Sequence, residues 1–72
     1  MTINTITAKF ARLTTDSRKA VAEWAGKFLD AFAAQDWRMA DISYGEITCY
    51  LPLGGSQPSS KDVWDFLYSI AE

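Results

Sequence analysis

Between Asp16 and Ala34, apolar side chains recur at the spacing of a single helix face, and this stretch constrains the fold more than any other. In DSRKAVAEWAGKFLDAFAA the stripe is Val21, Trp24, Ala25, Phe28, Ala31 and Phe32, with Arg18, Lys19, Glu23, Lys27 and Asp30 lying off it. A helix over 16–34 is roughly 28 Å long at the usual rise per residue. Glu23 precedes Lys27 by four positions, an ion-pair order worth about a few tenths of a kcal/mol. The stripe, rather than the charges, therefore decides which way this helix faces.

A chain of 72 residues has to close a core around that stripe, which places it near the lower end of single-domain size. Residues 1–72 are read as one domain. With 49% hydrophobic and 22% charged residues, the composition argues against intrinsic disorder. The burial capacity is concentrated in three Trp, three Tyr and four Phe, each of which can hide far more area than Val or Ala. A single cysteine, Cys49, cannot form an internal disulfide, and without histidine a structural zinc site has no support. The expected setting is reducing and cytoplasmic, since one Cys and no secretory signal are visible and no apolar run is long enough to span a bilayer.

Residues 2–13, TINTITAKFARL, satisfy two periods at once. Ile3, Ile6, Phe10 and Leu13 fit a helical stripe, while Ile6, Ala8 and Phe10 alternate with Thr5, Thr7 and Lys9 as in a strand. The crowding of Thr and Ile favours a strand over 3–13, with a short helix as the alternative. Thr14, Thr15 and Asp16 supply oxygens suited to capping the long helix.

After a turn at Gln35 and Asp36, residues 39–53, MADISYGEITCYLPL, read as a β-hairpin closed by Gly45-Glu46 in a type II′ turn. In that register Tyr44 faces Ile47, Ile42 faces Cys49 and Ala40 faces Leu51, all on one face. Asp41, Ser43, Thr48 and Tyr50 occupy the other. Pro52 marks the end of the second strand. Residues 54–60, GGSQPSS, form a loop, and Ser59 or Ser60 caps a last helix over 60–71 whose inward stripe is Val63, Phe66, Leu67 and Ile70. The resulting expectation is an α+β domain of order β-α-β-β-α, a three-stranded, mostly antiparallel sheet covered by the long helix and the C-terminal helix. The alternative order is α-α-β-β-α.

The residues offer little catalytic chemistry. Without histidine, the usual proton-transfer group near neutral pH and triads of the Ser-His-Asp type are missing. In the hairpin register Cys49 points into the core as an inert thiol. Asp62 and Asp65, on adjacent helical turns, read as helix-start carboxylates rather than an acid–base pair or a cation site. Gly54-Gly55 lacks the spacing of a phosphate-binding loop. No catalytic residue, metal ligand or cofactor site is assigned, and the chain is not expected to be an enzyme.

Two binding classes remain. Residues 1–27 carry five cations against two carboxylates, +3, and residues 28–72 carry two cations against seven carboxylates, −5. Lys9, Arg12, Arg18 and Lys19 gather around the start of the long helix and would bind phosphates in a nucleic-acid-binding module. A pI near 4.9 and the lack of any helix-turn-helix, RRM or KH pattern make this the alternative. The favoured reading starts from the aromatic surplus. Trp64, Tyr68 and Tyr50 are hard to bury in so small a domain, and amphipathic rings of this kind anchor interfaces. Trp64, Tyr68, Asp65 and Tyr50 are the candidate protein-binding patch, with Trp37 read as packing over the end of the long helix. The expected function is occupation of a surface on a larger intracellular protein or complex, as a small inhibitor or accessory factor of the kind phages encode. Self-association through the same patch is the other outcome.

Overall fold

The computed structural model describes residues 2–53, 55, 58 and 60–71. Four α-helices follow one another: α1 (Ile3–Ala11), α2 (Thr15–Ala33), α3 (Trp37–Tyr50) and α4 (Lys61–Ala71). Among the described residues there is no strand. The α+β architecture expected from the sequence is therefore wrong in both its forms, and the domain is all-helical.

Helix α2 lies where the apolar stripe places it. Thr14 caps it by accepting from the Ser17 N–H at 3.2 Å. Val21, Ala25, Phe28 and Ala31 are buried, while Trp24 and Phe32 are partly buried against the core. Its far end closes with two reversed hydrogen bonds: the Asp36 N–H donates to the Ala31 carbonyl at 2.8 Å, and the Gln35 N–H donates to the Phe32 carbonyl at 3.1 Å. This is the Schellman arrangement, and it requires a left-handed residue between the two helices. Gln35 takes that role at φ 59°, where a side chain costs about 1 kcal/mol relative to glycine. One residue later, an Asp36 carboxylate oxygen accepts from the Met39 N–H at 3.2 Å and starts α3. The chain thus reverses direction within three residues.

Helix α3 replaces the expected hairpin. The buried set is Ala40, Ser43, Tyr44, Ile47 and Leu51, a stripe with helical spacing. Four of its members, Ala40, Tyr44, Ile47 and Leu51, were also the inward residues of the hairpin register, because steps of four, three and four fit both patterns. The residues that separate the two readings are Ile42 and Cys49, which are exposed, and Ser43, which is inside. Cys49 is therefore a surface thiol and not a core one. A helix satisfies its own backbone hydrogen bonds, whereas a lone hairpin would leave both edges open, and α3 is also capped from the preceding turn. Gly45 sits mid-helix with open space where a Cβ would go. Its turn preference is overridden at a cost of about 1 kcal/mol. Leu51 is extended, ψ 111°, as the residue before a proline prefers, and Pro52 follows the end of a helix rather than of a strand.

The N-terminal segment is a helix rather than the favoured strand. Thr2 caps α1, accepting from the Thr5 N–H at 3.3 Å. Ile6 is fully buried, with Ile3, Phe10 and Leu13 packed around the core, while Thr5, Thr7 and Ala8 face solvent. The helical stripe thus outweighs the β-branched composition, because burial favours it more than propensity opposes it. The Arg18 guanidinium donates to the Ala11 and Leu13 carbonyls, at 3.2 and 3.0 Å, and so ties the end of α1 to the first turn of α2.

Helix α4 begins at Lys61, and Gly54, Ser56, Gln57 and Ser59 of the loop expected over 54–60 lie outside the described residues. Of the two cap candidates, Ser60 accepts from the Val63 N–H at 3.4 Å. Val63, Phe66 and Leu67 are buried and Ile70 packs beside them. Helices α3 and α4 both lie against α2, and α1 closes over α4. Phe28 is the joint of the assembly, with ring centroids 5.6 Å from Tyr44 on α3 and 5.4 Å from Trp64 on α4. Phe10 meets Phe66 edge-on at 5.4 Å and fixes α1 to α4. No helix among the described residues is long and apolar enough to cross a membrane.

Candidate protein-binding surface

Four aromatic rings run in contact from one helix to the next. The Trp37 ring, on the first residue of α3, meets Phe32 edge-on at 5.1 Å. Phe32 meets Trp64 edge-on at 4.8 Å, and Trp64 reaches Tyr68 at 6.4 Å. These separations are those of favourable aromatic pairs. The two ends of the row are open to solvent, Trp37 at 49% and Tyr68 at 58%, while Phe32 and Trp64 between them are partly buried. Phe28 touches both inner rings from below, at 5.8 Å to Phe32 and 5.4 Å to Trp64. The result is an aromatic ridge whose middle is rooted in the core and whose ends project.

Each ring reaches the ridge for a local reason. The Gln35 turn and the Asp36 cap fix where α3 begins, so Trp37 is held beside the last turn of α2 and against Phe32. Trp64 and Tyr68 are four residues apart on α4 and therefore neighbours on one side of it. Val63, Phe66 and Leu67 already fill the inward face, which turns Trp64 and Tyr68 to its shoulder.

Of the four residues read from the sequence as a protein-binding patch, the structure brings three together. Trp64 and Tyr68 are in ring contact, and Asp65 lies beside them, exposed, with one oxygen 3.7 Å from the Lys61 ammonium. That pair is solvated and adds little stability. Tyr50 is elsewhere. It ends α3 thirteen residues after Trp37, about 20 Å along the helix axis, and among the described residues no ring contact joins it to α4. It belongs to a second exposed stripe on α3, with Met39, Ile42 and Cys49. Trp37 was missed as a surface residue. The signal for it was Asp36, an N-cap type immediately before a stretch with helical spacing.

The four basic residues are placed unevenly. Arg18 is engaged with the α1 carbonyls, Lys9 is half-buried, and Arg12 and Lys19 are exposed at the α1–α2 corner. Lys27 sits over the Trp24 ring, 4.4 Å from its centroid, an intramolecular cation–π contact. Burial pushes the Tyr44 phenol above its ordinary value near 10, because the charged form loses solvation beneath Phe28. No group of three or more metal-ligating side chains occurs among the described residues. Comparison of the chain with models of known protein families, with curated proteins and with solved structures finds no match.

Proposed function

We propose that this chain is a protein-binding domain that acts by occupying a surface of a larger protein, with Trp37, Phe32, Trp64 and Tyr68 as its contact ridge. The observation that carries the reading is the row of touching rings with both ends exposed. Trp and Tyr are the residue types most often found as interface anchors, and their rings lose few rotamers on binding. Contact with Phe28 and Phe32 holds Trp37 and Trp64 before a partner arrives, with Tyr68 beside Trp64, so less ordering entropy is lost on association. The outer stripe of α3 is the weaker candidate, because Met39 and Ile42 are flexible or small beside the ridge and Glu46 interrupts them.

The test is capture from the native cell with the wild-type chain and with Tyr68→Ala as bait. Tyr68 is the most exposed ring and its loss disturbs the core least. The reading expects a protein recovered by the wild type and lost by the variant, with binding weakened by about 2 kcal/mol or more. Equal recovery by both baits would remove the ridge from the interface. Trp64→Ala is a poorer bait, since Trp64 also packs on Phe28 and Phe32 and its removal mixes folding with binding.

A further inference from the structure

Resting on the reading above, we propose that the segment a partner lays on this ridge is basic and carries arginine. The ridge is bordered by carboxylates on both sides. Asp36 precedes Trp37, Asp41 follows it by one helical turn, and Asp65 lies between Trp64 and Tyr68; all three are exposed. Two cations share the border: Arg38, next to Trp37, and Lys61, whose solvated pair with Asp65 an incoming guanidinium would have to displace. Neither Asp36 nor Asp41 has an ion-pair partner among the described residues. The named border thus holds three carboxylates against two cations, a net charge of −1 that favours a basic segment. Along the sequence, residues 28–72, which supply all four ridge rings, carry two cations against seven carboxylates.

The rings add a chemical preference within that charge class. The chain already places a cation over one of its indoles, Lys27 over Trp24, whereas the described residues place none over Trp37 or Tyr68. Those two rings are half open or more. A guanidinium stacks flat on such a ring and can present its N–H fork to a neighbouring carboxylate in the same pose, while an ammonium serves as a point charge only. Trp37 with Asp41, and Tyr68 with Asp65, each pair an open ring with a carboxylate one turn away.

The experiment titrates the whole chain with short alternating glycine–arginine, glycine–lysine and glycine–glutamate peptides, following the Trp37 indole and Tyr68 ring resonances by NMR. Saturable shifts of both resonances by the arginine peptide are expected. Binding by the lysine peptide should be weaker, and the glutamate peptide should cause no shift. Asp41→Asn combined with Asp65→Asn should weaken the arginine peptide by about tenfold, and Tyr68→Ala should do the same, both variants keeping the wild-type helical circular dichroism. The proposal is overturned if the arginine peptide leaves the ridge resonances unmoved, if arginine and glutamate peptides bind alike, or if the double Asn variant binds as the wild type does. Failure here is separable from failure of the protein-binding reading. A captured partner lost by Tyr68→Ala but retained by the double Asn variant overturns the arginine preference alone, whereas a partner retained by Tyr68→Ala overturns both.

Discussion

Helices α2 and α3 are joined by one tight turn and packed along each other, yet one announces itself in the sequence and the other does not. In α2, Val21, Ala25, Phe28 and Phe32 are also spaced by four, three and four around a glycine, Gly26, but the hairpin face they would share also carries Glu23 and Asp30 and leaves Trp24 and Ala31 on the other, so only a helix gathers the apolar set. In α3 the inward residues are spaced by four, three and four, which serves a hairpin face as well as a helix face. A glycine at the midpoint then supplies a credible turn. The difference teaches that an apolar pattern discriminates only through residues the competing patterns treat differently, here Ile42, Ser43 and Cys49. The position of the ridge depends on the answer, because Trp37 reaches Phe32 only if α3 winds as a helix from Asp36.

Four substitutions break or sharpen this comparison. Phe28→Ala has the largest effect, since its ring touches Phe32, Tyr44 and Trp64 and so joins α2 to both α3 and α4. A loss of about 3–5 kcal/mol by chemical denaturation is expected. At the joint between the helices, Gln35→Gly relieves a left-handed side chain and should raise stability by about 1 kcal/mol in the same assay. Gly45→Ala is the sharpest test, because its sign depends on the fold. In a helix with open space at the Cβ it stabilises by about 0.5–1 kcal/mol; in a type II′ turn, which needs positive φ there, it would destabilise. The smallest effect belongs to Ile42→Ser. At 48% exposure on α3 it should change stability by no more than about 0.5 kcal/mol, where a hairpin core residue would lose several times that.

What the sequence made legible follows from the same logic. The stripe of α2, the turn at Gln35 and Asp36, and the inward set of α4 were readable because each had one physical interpretation. Residues 3–13 were not, since Ile6 and Phe10 belong to both the helical and the alternating pattern and Thr favours strands; only burial against Phe66 separates them. At the candidate surface, Trp64, Tyr68 and Asp65 could be grouped from helical spacing within α4. Tyr50 was grouped with them on exposure alone, which carries no information about distance. Trp37 does pack over the end of α2, against Phe32, but its exposure could not be read, because how its ring is held depends on the Schellman turn and the Asp36 cap acting together.

The claim that the ridge exists to meet a partner is tested most directly by hydroxyl-radical footprinting of the chain, free and bound to the protein it captures. Trp37 and Tyr68 should be oxidised readily in the free chain and protected in the complex, while Ile42 and Cys49 on the outer stripe of α3 react equally in both. Trp37 and Tyr68 reacting as fast in the complex as in the free chain would contradict the account.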